Sequence, residues 1–428
     1  MDKIIDIDAL EILDSRGFPT IRTTVFLDSG IIGVAMVPSG ASTGEREAFE
    51  LRDNDGKRYH GKGVLKAVGN VKQKIATALK GIEVHRQNYI DQLMIDLDGT
   101  PNKKNLGANA ILSVSLAVAH ASANANKTAL FKNLNKGSEG FFLPVPLMNV
   151  INGGQHANNN IDFQEFMIVP HGASCFSESI RYGAEVFQKL KLLIEKMGMS
   201  SAVGDEGGFA PNLDSNEQAL SLILDSIESA GYTPGKDISI ALDVASSEFY
   251  KDDFYHLDSE GLKLNSEEMC QFLSEMVKNY PIVSIEDGMD QNDWAGWQKL
   301  TSILGNHTQL VGDDLFVTNV EFLQKGISEK SANSILIKVN QIGTLSETLS
   351  AIELAKANNF EVVVSHRSGE TEDNTISDLA CSSAVTQIKA GSMSRSDRLS
   401  KYNRLLVIEH MLGENCVFSG SRIFKNET

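Results

Sequence analysis

The chain has 428 residues, 42% of them hydrophobic and 22% charged, with a formal net charge of −17. That length exceeds what one ordinary core needs, so two domains are expected. The acidic balance disfavours non-specific nucleic-acid binding. The four cysteines and nine histidines are scattered, without the spacing of a disulfide framework or a zinc site, which fits reduced thiols in a reducing compartment.

In chain order, the start MDKIIDIDALEILDSRG mixes acids with its apolar residues. No signal peptide is expected from it, and a cytoplasmic location follows. Apolar stretches at Ile4 to Ile12, Thr20 to Leu27 and Gly33 to Val37 read as a strand meander. The segment Val37 to Glu45, VPSGASTGE, is rich in small residues and is expected to move; it lacks the Gly-Lys-Ser/Thr ending of a nucleotide P-loop. Gly61-Lys62-Gly63 likewise lacks the third glycine of a dinucleotide fingerprint. Ala108 to Ala125, the least polar window, is broken by Ser, Asn and His and reads as a buried helix rather than a membrane span. Residues 1–138 are expected to form an α+β N-terminal domain.

Beyond that boundary, over residues 139–428, short apolar strands alternate with helices. The strands are VPLMNVI, FQEFMIV, ISIALDV, IVSIED, QLVGDD, SILIKVN, EVVVSH and QIKAG. Eight of them predict a (β/α)8-type barrel. Its start is irregular, because the first two strands are joined by a loop too short for a helix and two helical segments then follow in succession, a ββαα order.

The ends of the later strands carry the chemistry: Asp243, Glu286, Asp313, Lys338, His366 and Lys389. In a barrel these ends converge on the face where active sites sit. A single Asp after a strand is usually a helix cap, but a run of three acids followed by three basic or titratable groups is poorly explained that way. Three carboxylates without Cys are hard oxygen ligands suited to Mg2+. The alternative is a set of salt bridges to Lys338 and Lys389, disfavoured by the lysines lying on other strands than the acids. Beside a metal and Lys389, Lys338 is expected to have a lowered pKa and to serve as a base. The earlier strands add Gln164 and Glu165, and GDEGGFAPN adds Asp205 and Glu206, so that a carboxylate can stand opposite the lysine as the acid. His156 lies in NGGQHANNN, whose glycines point to close backbone approach.

The motifs DSRG, PSGASTGE, GANAILSVSLA, PLMNVINGGQHA, QEFMI, GDEGGFAPN, ALDVASSEF, SIEDG, VGDDLFVTN, IKVNQIGT, SHRSGETED and IKAGSMSRSDR together resemble the enolase family, in its order and over nearly the whole chain. Two positions depart from its pattern: Phe18 stands where Asn is usual and Ala390 where Thr is common. The resemblance implies reversible dehydration of 2-phosphoglycerate to phosphoenolpyruvate, with two Mg2+ per site. It implies that Asp243, Glu286 and Asp313 hold the first ion and that Ser42 closes over the second. Lys338 would take the C2 proton and Glu206 would assist loss of the C3 hydroxyl, with Glu165 beside it. Arg367 and Ser368 would bind phosphate, while Lys389, Gln164 and His156 complete the pocket. Bound metal would also explain how so acidic a chain attracts an anion. A superfamily racemase or sugar-acid dehydratase would generally carry a Lys-x-Lys pair on its second strand, which here reads FQEFMIV. The resemblance further implies a homodimer or an octamer built from it. It also allows a second role, in RNA-degradation assemblies or as a receptor at the cell surface.

Overall fold

The computed structural model describes residues 2–40, 44–135, 140–157, 159–383 and 385–424. Strands β1 (Ile4–Leu13), β2 (Pro19–Leu27) and β3 (Ile32–Met36) form an antiparallel meander close to the expected positions. Its inner face lies on helix α1 (Ala108–Ala125), of which all but three residues are buried. The contact is close because β3 offers a glycine: a Cβ on Gly33 would stand 2.2 Å from the Ala117 carbonyl oxygen and 2.6 Å from the Ala121 Cβ. Among the described residues, no helix is long and apolar enough to cross a membrane.

The remainder is built on a closed eight-stranded barrel: β4 (Val145–Asn152), β5 (Glu165–Val169), β6 (Ser239–Asp243), β7 (Ile282–Glu286), β8 (Gln309–Gly312), β9 (Ser334–Ile337), β10 (Glu361–Ser365) and β11 (Gln387–Lys389). The start is ββαα, with α2 (Phe176–Lys196) and α3 (Asn216–Ser229) following β5. One strand departs from a parallel sheet. With no helix between β4 and β5, the chain can only double back, and β5 runs antiparallel to both neighbours. Its first residue, Glu165, therefore lies level with Asp243, the last residue of β6. Reversal brings the beginning of β5 to the rim where other strands end.

Barrel strands are buried on both faces, and Val145, Leu147, Met167, Val311, Leu336 and Val363 pack inside with Ile423 and Phe424 from the far end of the described chain. The N-terminal part meets the barrel at its rim. Ser39 pairs with Gly369, the Ser15 amide donates to the Glu370 carbonyl at 2.7 Å, and Arg395 donates to the Ser15 carbonyl at 2.6 Å.

The fit of β3 on α1 gives a direct test. Gly33→Ala drives a methyl into backbone atoms that cannot rotate away, and should cost about 1–3 kcal/mol of stability. A thermal midpoint equal to that of the wild type would mean that strand and helix have room to spare.

Candidate active site

A pocket of ≈ 280 Å³ opens at the barrel rim, lined by His156, Gln164, Glu165, Glu206, Asp243, Lys338, Ser365, His366, Arg367, Ser368 and Lys389. Every residue that the family resemblance assigns to substrate binding or proton transfer is in that lining, and Asp205 is not. Glu286 and Asp313 stand behind it, each touching one of the lining lysines. Ser42 lies outside the described residues.

Lys389 meets its acids across the barrel, and Lys338 meets Asp313 from the adjacent strand. Lys389 Nζ donates to Asp243 Oδ2 at 2.9 Å and to Glu286 Oε2 at 2.8 Å, and lies 3.2 Å from Glu165 Oε1. Lys338 Nζ is paired with Asp313. The salt bridges disfavoured from strand order are thus present, because closure seats the last barrel strand opposite the third and fourth. Burial works against a charge on Lys389, but Asp243, Glu165 and Glu286 outweigh it and hold the ammonium well above its ordinary range. Lys338 behaves likewise. Burial and Arg367 lower its pKa, but Asp313 and Glu286 raise it further, so the net shift is upward. The lowering expected for Lys338 supposes a metal beside it, and here its nearest neighbour is the Asp313 carboxylate.

Two cations do not satisfy the acids. Glu286 is pushed well above the carboxylate range by burial and by Asp243. Asp287 is raised by burial and by Asp314 and Asp313, while burial and Asp313 lift Asp314 to about 7. Carboxylates raised in this way are short of positive charge. The donors are hard oxygens, as Mg2+ prefers, and Gln164 Oε1 and Glu165 Oε2 in the lining are buried without a hydrogen-bond partner. Asp243, Glu286 and Asp313 fit a divalent cation on this chemistry. Among the described residues, ligand-capable atoms come within 4.8 Å of one another at Asp287, Asp313 and Asp314 and at His156, Glu165 and Glu206, whereas Asp243, Glu286 and Asp313 do not gather that closely as a trio.

In the second of these groups, His156 Nδ1 lies 3.4 Å from Glu165 Oε1 and 3.6 Å from Glu206 Oε1. Burial and Glu206 push Glu165 up to about 7. Burial opposes ionisation of Glu206 too, but His156, His366 and Arg398 prevail and hold it well below the usual range. Of the pair, Glu165 is the one favoured to carry a proton and Glu206 the one held ionised. The loop bearing Glu206 is shaped by Gly207, whose φ is +86° and whose Cβ would come within 2.6 Å of the Ser394 carbonyl oxygen. The glycines beside His156 serve similar packing: a Cβ on Gly153 would stand 2.4 Å from the Phe163 carbonyl oxygen.

Arg367 is buried and makes a two-point contact with Glu47, Nη1 to Oε2 at 2.9 Å and Nη2 to Oε1 at 3.1 Å. Gln341 extends this contact, donating to Glu47 Oε1 at 3.3 Å and to Asp313 Oδ1 at 2.8 Å. Sequence reading missed Glu47, Gln341, Arg398 and the second acids of the pairs Glu286-Asp287 and Asp313-Asp314. Only the tandem acids left a visible signal. Asp287 braces the next strand end, its carboxylate accepting the Asp313 amide at 2.9 Å and the Asp314 amide at 3.0 Å.

Two family models match the chain. One, described as "Enolase, N-terminal domain", covers residues 4–134, and the other, "Enolase, C-terminal TIM barrel domain", covers residues 140–427.

Asp313 offers a test of the metal assignment. Asp313→Ala removes one of three anionic ligands and should weaken Mg2+ binding by about tenfold or more. Calorimetric titration showing wild-type affinity in the variant would remove Asp313 from the metal shell.

Proposed function

Since the chain belongs to the enolase family, with domains of an enolase-type hydro-lyase, we propose that it interconverts 2-phospho-D-glycerate and phosphoenolpyruvate. One observation carries the reading: a lysine, two neighbouring carboxylates and a buried arginine line the same small pocket. A β-elimination needs a base at one carbon, an acid at the next and a hold on the anion.

Lys338 Nζ, in its neutral form, takes the proton from C2. The C3–O bond breaks as its oxygen is protonated through Glu206, the oxygen leaves as water, and the C2–C3 double bond forms. Glu206 is held ionised, which suits it to take a proton from water in the hydration direction. For dehydration its proton comes from Glu165, with His156 between the two carboxylates. Arg367 and Ser368 hold the phosphate, and Lys389 and Gln164 close the pocket around the rest of the substrate. Asp243, Glu286 and Asp313 would hold Mg2+, with a second ion reaching Ser42. Bound there, Mg2+ would supply the positive charge that these acids lack, draw Asp313 away from Lys338 and stabilise negative charge on the substrate carboxylate. Residues 1–138 cap the barrel of residues 139–428, and the working unit is a cytoplasmic homodimer.

The two proton transfers are separable. Lys338→Ala should neither form phosphoenolpyruvate nor exchange the C2 hydrogen with solvent deuterium. Glu206→Gln should keep that exchange while dehydrating about 10²–10⁴-fold more slowly. NMR of 2-phosphoglycerate in D2O reads both. Exchange that survives in Lys338→Ala but is lost in Glu206→Gln would reverse the assignments.

Assembly is tested by sedimentation, which should give about twice the 46.6 kDa chain mass or a higher multiple. A monomer at micromolar concentration would contradict the dimer and leave the chemistry untouched.

A further inference from the structure

We infer that Arg398 is a positioning residue that fixes His366 as its Nε2-protonated tautomer and so aims a hydrogen-bond donor at Glu206. Arg398 lies in the first turn of α4 (Ser396–Leu412) and is fully buried. Its Nη1 donates to His366 Nδ1 and, at 2.6 Å, to the Arg367 carbonyl. Its Nη2 donates to the Asp205 carbonyl at 3.1 Å and the Ser368 carbonyl at 2.6 Å. The two Nη atoms carry four hydrogens, and four acceptors take them.

A guanidinium accepts nothing and does not lose its proton in proteins. His366 Nδ1 must therefore be the bare nitrogen, because a proton there would set N–H against N–H beside a full positive charge. The single ring proton then sits on Nε2, 3.3 Å from Glu206 Oε2. This Nε2 is buried, lies in the pocket lining and has no well-formed hydrogen bond. The opposite tautomer would turn a lone pair towards a carboxylate. Burial agrees with a neutral ring, pushing His366 down to about 3. The same guanidinium pins the carbonyl before Glu206 and the carbonyls of Arg367 and Ser368. One side chain thus sets the acid loop and the expected phosphate-binding residues in register.

The part that concerns proton delivery rests on the dehydration reading above, whereas the tautomer does not, so the two can fail separately. In protein labelled with 15N-histidine at neutral pH, His366 (assigned by its absence in His366→Gln) should show a protonated Nε2 and a bare Nδ1. A protonated Nδ1, alone or with Nε2, overturns the inference whatever the enzyme turns over. Arg398→Lys cannot reproduce the fork and should lose the single-tautomer signature. Its dehydration should slow by about tenfold or more while C2 exchange persists. An unchanged His366 spectrum in that variant would remove Arg398 from the role. Should Arg398→Lys fail to fold, the wild type still decides. A 15N–15N coupling across the bond between Arg398 Nη1 and His366 Nδ1 supports the inference, and its absence overturns it.

Discussion

Several carboxylates buried at one barrel rim repel one another strongly, and the rest of the site is arranged around keeping them there. Glu165, Asp243 and Glu286 come from three different strands and meet at a single ammonium, that of Lys389. Removing one partner of such a buried cluster leaves uncompensated charge and typically costs about 3–5 kcal/mol. Lys389 is therefore structural as well as a pocket wall. It leaves a deficit of positive charge, visible in the raised Glu286, Asp287 and Asp314. That deficit is what makes an acidic chain receptive to a divalent cation and, through it, to an anion.

The same rim divides labour between neighbouring residues. Of the tandem acids Glu286 and Asp287, the first faces Lys389 and the second accepts the backbone N–H groups of Asp313 and Asp314 at the end of the next strand. Positions that carry charge are thus held by positions that carry only hydrogen bonds. Glu47 and Gln341 do comparable work between Arg367 and Asp313, joining the Arg367 side of the pocket to its acid side. Precise placement of this kind is what a catalytic constellation needs from its surroundings.

The reversed second strand shows how an irregularity of fold serves the site. Had β5 run parallel, Glu165 would take the place at the closed end that Val169 now holds, in the cluster with Val145 and Ile423. Running antiparallel, the strand starts at the rim and delivers Gln164 and Glu165 beside Asp243. The short β4–β5 connection therefore decides the chemistry of the pocket through the direction it imposes.

Much of this was legible in the sequence. Alternating apolar strands and helices specify the barrel because burial on both faces demands such strands, and the ionisable residues at their ends identify the rim. The short connection after β4 announced the ββαα start. What the sequence could not convey was distance across the closed barrel. Strand order alone set Lys389 apart from Asp243 and Glu286, and closure made them neighbours. The upward shift of Lys338 has a nearer source, Asp313 at the end of the adjacent strand, since a pKa depends on which charges lie within a few ångströms and not on which lie nearby in the chain. Glu47 and Arg398 escaped notice for that reason: each is an ordinary charged residue on its own segment. Only the packing of the 44–47 segment and of α4 against the rim turns them towards Arg367 and His366.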